Sequence, residues 1–205
     1  MFGLQRSGTN FLEDLVKNNF NGKKLNDQRK SWKHSIDVPS IYDENTPTLI
    51  IHKNPYTWIE SISLRNNVDW IKTQKKYPAD QKTDSCFMIG EKQSMNIINL
   101  ALTYRHFHET WLDKNHYEMK YEDLLVDKPR EIILDQIREK YALQRTHKNW
   151  LIPKRGSVSQ SRDYNANREE YYIRGVPQTL TGKQIAKVNE IIGVSLIRKM
   201  GYDVL

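Results

Sequence analysis

The segment Gly3-Leu4-Gln5-Arg6-Ser7-Gly8-Thr9-Asn10 sets two glycines five residues apart at the head of an apolar helical stripe. Glycines so spaced let successive backbone N–H groups turn into one concavity, and a helix N-terminus behind them adds partial positive charge. The chemistry on offer is the holding of an anion, a phosphate above all. Arg6 lies inside the loop and brings a planar fork of donors, while Ser7, Thr9 and Asn10 bring short polar groups. Taken without its neighbours, the segment is equally an ordinary glycine turn capped by Ser7 or Thr9.

Other residues suited to chemistry lie further on. Lys53 ends an apolar run, with Ser61 eight residues beyond it. Alone, the two would be a strand-end lysine and a helix-surface serine. His34, within Trp32-Lys33-His34-Ser35, is either a surface histidine or a proton acceptor, since its ordinary pKa suits transfer near neutrality. His106 and His108, two apart on a helix, fall on different faces and make poor partners for a metal. His52 is expected to face the sheet. No H-E-x-x-H or carboxylate-rich ligand set occurs, and no metal is expected.

These groups need elements to position them. Phe11, Leu12, Leu15 and Val16 form the stripe of a first helix. Thr48 to His52 reads as a buried strand, after which Asn54 can cap and Pro55 open a helix carrying Trp58, Ile59 and Ile62. Residues from about 66 to 90 form a polar, irregular insertion with Pro78. A long helix follows from about Glu91 to Leu112, then a strand from His116 to Tyr121 and a helix from Asp127 and Pro129 through Ile137. Thr181 and Gln184 have capping-box spacing, with Ile185, Val188, Ile192 and Leu196 on one face and Gly201 as the stop. Strands separated by helices predict an α/β fold with a mainly parallel sheet flanked by helices, in a single domain over residues 1–205. Only Met1 and Phe2 precede the loop where a full first strand is expected, so that strand is either stunted or lies beyond the start of the sequence.

Three segments taken together resemble the sulfotransferases that use 3′-phosphoadenosine 5′-phosphosulfate (PAPS). Arg6-Ser7-Gly8-Thr9-Asn10-Phe11-Leu12 is similar to that family's 5′-phosphosulfate loop, [KR]-S-G-[TS]-x-[WF]-L. Lys53-Asn54-Pro55 with Ser61 resembles its 3′-phosphate motif, although Lys53 stands where Arg is usual and replaces a bidentate fork by a point charge. Tyr121-Glu122-Asp123-Leu124, followed by Asp127 and Pro129, resembles its Y-E-D-L strand end.

The resemblance implies a P-loop nucleotide-kinase-like sulfotransferase fold and transfer of a sulfuryl group from PAPS to a hydroxyl or amine. It implies that Arg6, Ser7, Gly8, Thr9 and Asn10 hold the 5′-phosphosulfate, and that Lys53 and Ser61 hold the 3′-phosphate. Phe11 would stack on adenine, unless it is a core residue of the stripe, and Tyr121 would pack near the base. His34 would be the general base, with Lys33 assisting and Arg6 stabilising charge on the leaving oxygen; the family's K-x-H segment matches only in part, because Lys33 abuts His34. Pro153-Lys154-Arg155-Gly156 resembles the late R-K-G element that returns to the 3′-phosphate, making Lys154, Arg155 and Gly156 the expected residues, with Arg174-Gly175 as a rival.

Two other functions compete. In a P-loop nucleotide or small-molecule kinase the loop would read G-x-x-x-x-G-K-[ST], but Thr9 and Asn10 occupy the Lys and hydroxyl positions. A non-catalytic nucleic-acid-binding protein would account for the local charge, since Lys140 to Arg174 carries eight basic and three acidic residues within a chain of net charge +7. No helix-turn-helix, zinc-finger or RNP signature accompanies that charge, so nucleic acid is not the expected partner. A small-molecule or glycan acceptor is, and the basic surface favours an acidic glycan.

With 205 residues, 38% hydrophobic and including 11 Tyr, 5 Trp and 5 Phe, the chain is too rich in large apolar groups for bulk disorder. The longest apolar runs, such as Leu49-Ile50-Ile51, fall far short of the ~20 residues that span a bilayer. A single cysteine, Cys86, excludes an internal disulfide. A cytoplasmic location without membrane attachment is the expectation.

Overall fold

The structure, a computed structural model, describes residues 1–4, 6–21, 34, 36–38, 42–66, 97–153 and 167–205. The elements are α1 (Thr9–Asn19), β1 (Leu49–His52), α2 (Pro55–Asn66), α3 (Ile97–Trp111), β2 (Tyr117–Lys120), α4 (Tyr121–Leu125), α5 (Asp127–Lys140), α6 (Asn167–Arg174), α7 (Gly182–Ile192) and α8 (Val194–Lys199). Most of the insertion over 66–90 lies outside the described residues.

The sheet is parallel. β1 pairs with β2 in the register Leu49 with Tyr117 through His52 with Lys120. Phe2 adds a parallel bridge on Ile50: its N–H donates to the Leu49 carbonyl at 2.8 Å, and its carbonyl accepts the Ile51 N–H at 3.0 Å. Ahead of the loop the pairing is thus a single-residue bridge. Successive side chains of β1 leave on opposite faces, and all four are buried, as a parallel strand covered by helices requires. Leu49 and Ile51 pack with Leu12, Leu15 and Val16 of α1 and Leu134 and Ile137 of α5. Ile50 joins the opposite cluster with Ile59 of α2, Leu100 and Tyr104 of α3, Val188 of α7 and Ile197 of α8. The arrangement is a small parallel sheet between helices, an α/β organisation.

Local signals explain two helix starts. The Asn54 side chain accepts the Tyr56 N–H at 3.0 Å and so caps α2, whose second residue follows Pro55. The Gln184 side chain accepts the Thr181 N–H at the start of α7. Two expectations are corrected. The apolar face from Ile185 to Leu196 does not belong to one helix: Gly193, at φ 89°, divides it into α7 and α8. Tyr121 is not the last residue of a strand but the first of α4, because β2 ends at Lys120. No described helix is long and apolar enough to cross a membrane.

His52 does face the core, 4% exposed, and meets His108 of α3, 2% exposed, with ring centroids 5.4 Å apart. His106 points elsewhere, with Nε2 at 2.7 Å from Asp37. Burial depresses the His52 pKa to about 3, and the neighbouring His108 adds to the depression while Glu118 opposes it. Burial likewise lowers His108. In the unfolded chain both histidines take up protons below pH 6.5, whereas the folded chain does not, so stability present above pH 6.5 is lost on acidification toward 3. Glu118 is held down to about 2, chiefly by the two histidines against the opposing effect of its own burial, and changes the balance only below 4.5. From pH 7.5 to 5.0 the unfolding free energy from urea titrations is expected to drop by about 2 kcal/mol or more through the histidines. His52→Leu should flatten that slope. An unchanged slope in the variant would show that His52 does not titrate as a buried neutral group.

Candidate functional site

The loop from Gly3 to Gly8 runs from the Phe2 bridge into α1. Ser7 closes it from inside: its N–H at 3.1 Å and its Oγ at 2.6 Å both donate to the Leu4 carbonyl. Both bonds hold the turn closed. Arg6 at φ 69° and Gly8 at φ 96° both adopt left-handed backbone, a conformation that strains the arginine and suits the glycine. Gly8 is the N-cap of α1 and contributes no side chain to capping. The first-turn N–H groups of Thr9, Asn10 and Phe11 are then the natural anion donors of the helix end.

Gly8 is also fixed by packing. A Cβ there would fall 2.2 Å from Cδ2 of Tyr121. Tyr121 in turn meets Phe11 edge to face, with centroids 6.4 Å apart, and Tyr172 of α6 at 5.7 Å. The aromatic residues expected near a base thus share one wall beside the loop.

Lys53 sits at the end of β1, 2% exposed. Its Nζ lies 3.5 Å from the Arg6 carbonyl, 3.3 Å from the centroid of the Tyr172 ring and 5.0 Å from that of Tyr121. Its carbonyl accepts the Tyr104 hydroxyl at 2.6 Å. The next residue carries the connection onward: the Asn54 N–H donates to Glu122 Oε1 at 2.9 Å, and Glu122 Oε2 accepts the Tyr202 hydroxyl at 3.0 Å. Burial raises the pKa of Glu122, against the hydrogen bond from Asn54 and the charge of Lys53. A buried lysine and a buried carboxylate therefore flank the strand end, each with internal partners.

His34 reaches the loop as well. Its Nδ1 is 2.9 Å from the Gly3 carbonyl. A carbonyl can only accept, so Nδ1 carries the proton and Nε2 is the basic nitrogen of the neutral ring. Ser61, 7% exposed, donates its hydroxyl to the Trp58 carbonyl at 3.0 Å within α2. Lys33, Lys154, Arg155 and Gly156 lie outside the described residues. Their rival is placed: Gly175, at φ 67°, passes Asn54 so closely that a Cβ would lie 2.9 Å from Nδ2, while Arg174 pairs with Glu170 at the surface.

Two residues of this site are not apparent from motif reading. Glu122 stands inside Y-E-D-L, but its acceptance of the Asn54 N–H depends on a partner 68 residues away. Tyr172 lies in a Tyr171-Tyr172 pair just before Arg174-Gly175, the one sequence signal that could have marked it. Compared with family models, with curated proteins and with solved structures, the chain shows no match.

Removing Glu122 should loosen the strand end. Glu122→Ala leaves the Asn54 N–H and the Tyr202 hydroxyl without their acceptor and is expected to lower the unfolding free energy by about 2–3 kcal/mol. Glu122→Gln, which keeps an acceptor at the same place, should lose less than about half of that. Equal losses in denaturant titrations of the two variants would mean that volume rather than hydrogen bonding is at stake.

Proposed function

We propose that this chain is a PAPS-dependent sulfotransferase acting on a hydroxyl or amine, with a carbohydrate as the acceptor class best suited to its basic surface, and that its parallel sheet and loop–helix unit belong to the P-loop-like sulfotransferase fold. The observation that carries the reading is the convergence, at one sheet end, of a glycine loop with a buried cation. Gly8, at the head of α1 and packed against the Tyr121 ring, lies two residues from Arg6, whose carbonyl is 3.5 Å from the Lys53 ammonium. An anion with two separated charged groups fits that pair of features: one group at the helix N-terminus, one at the strand-end lysine.

In this reading the first-turn amides of α1 and Arg6 hold the 5′ end of the donor, Lys53 with Ser61 holds the 3′-phosphate, and Phe11 with Tyr121 supports the base. PAPS supplies an activated sulfuryl group on a phosphate leaving group. His34 takes the acceptor's proton on Nε2, a role supported by the Nδ1 contact that fixes its tautomer. Arg6 stabilises the negative charge that develops at the leaving oxygen. Lys33 keeps its expected assisting role, and of the two rivals for the late 3′-phosphate element, Lys154-Arg155-Gly156 and Arg174-Gly175, the second is supported by the closeness of Gly175 to Asn54.

The direct test is calorimetric titration with 3′-phosphoadenosine 5′-phosphate, compared with ATP plus magnesium. The desulfated nucleotide should bind with the higher affinity and without a metal requirement; tighter binding of ATP with magnesium would favour a kinase. In turnover assays Arg6→Ala is expected to cost at least ~10²-fold while the circular dichroism spectrum is retained. Chelation with EDTA should change the wild-type rate by less than about twofold, far from the ~10-fold of a 1.4 kcal/mol barrier. Full activity in Arg6→Ala would remove the loop from the mechanism.

A further inference from the structure

We infer that Tyr172 is a displaceable cover of the 3′-phosphate position, competing with the phosphate for the Lys53 ammonium and so easing release of the desulfated nucleotide. This rests on the reading of Lys53 as the 3′-phosphate cation.

Lys53 is 2% exposed, so no anion reaches it unless a neighbour gives way. The face of Tyr172 stands 3.3 Å from Nζ, well inside the ~6 Å over which a ring attracts a cation. An oxygen of a bound phosphate belongs about 2.8 Å from the same nitrogen, so ring and oxygen compete for one approach. Two of the described neighbours of Lys53 are held by further contacts. Tyr121 is wedged against Gly8 and edge to face with Phe11, and the Arg6 carbonyl is part of the loop itself. Tyr172, 7% exposed and packed against the rings of Tyr121 and Tyr171, stands on α6, eight residues long, whose next two side chains, Ile173 and Arg174, are exposed and which ends at Arg174. The preceding Tyr171 donates to the buried carboxylate of Glu60, which also accepts the Gln178 and Thr179 N–H groups. That anchor keeps α6 in place while the Tyr172 ring swings.

The consequence is an exchange. Before binding, the ring keeps a buried ammonium company; on binding, a dianion replaces the weaker cation–π contact by an ion pair; on departure of the product the ring returns. A nucleotide with a 3′-hydroxyl has no charge with which to displace the ring and gains nothing from its removal.

Calorimetry with 3′-phosphoadenosine 5′-phosphate and with AMP on the wild type, Tyr172→Phe, Tyr172→Leu and Tyr172→Ala tests this. Tyr172→Phe keeps the ring face and should match the wild type. Tyr172→Leu and Tyr172→Ala should bind the 3′-phosphorylated nucleotide about 5- to 10-fold more tightly, with AMP affinity unchanged. Tyr172→Leu keeps apolar bulk and carries the test if Tyr172→Ala does not fold. If the wild type prefers the 3′-phosphorylated ligand but both ring-removing variants bind it equally or more weakly, Tyr172 is not a competitor and the inference falls while the role of Lys53 stands. If the wild type shows no preference over AMP, the role of Lys53 falls and the cover falls with it.

Discussion

An ammonium group taken out of water needs partners from within the protein, and those around Lys53 tie the elements of this site to one another. The Arg6 carbonyl brings the loop to it, Tyr121 and Tyr172 bring α4 and α6, and Tyr104 of α3 holds its carbonyl. Moving any of these alters the setting of the charge. The loop conformation follows from the same constraint, because Gly8 accommodates the Tyr121 ring only without a side chain. Loop, strand end and aromatic wall are one assembly.

The rest of the fold keeps that assembly in place. β1 buries residues on both faces, between α1 with α5 and α2 with α3, α7 and α8, so a one-residue shift would exchange the side chains packed into the two clusters. Its end is fixed by Asn54, which caps α2 with its side chain and donates its N–H to Glu122. Glu122 is itself held by Tyr202, from the segment after α8. The C-terminal segment thus contributes to the site through a carboxylate rather than by touching the loop. Burial, which raises the pKa of Glu122, lowers those of His52 and His108, favouring the uncharged form of each.

What the sequence disclosed was local. The helix after the loop, the buried strand at 49–52 and the Asn54-Pro55 helix start depend on spacing and capping within a few residues, and they stand where those signals place them. The division at Gly193 was hidden because the apolar face continues across it, so periodicity reads through a break that only the backbone reveals. α4 was hidden for the opposite reason: five residues are too few to show a helical period. At the site, Arg6, Gly8 and Lys53 are visible as chemistry-bearing types, but nothing in the sequence announces the meeting of Lys53 with the Arg6 carbonyl. Tyr172 and Glu122 work through contacts across long chain separations, which no local pattern records. Ser7 shows a further limit, since a serine in a glycine loop serves anion binding or turn closure with the same residue type, and here both its donors go to Leu4.

The central claim is that Lys53 reads a phosphate, rather than merely filling the end of a strand. Titrating the wild type and Lys53→Met with 3′-phosphoadenosine 5′-phosphate and with AMP closes a cycle in which general damage to the pocket cancels. The account predicts a wild-type preference of at least ~100-fold, about 2.7 kcal/mol, that collapses in Lys53→Met while AMP affinity stays within about twofold. Equal losses for the two nucleotides would contradict it and leave Lys53 as a structural residue.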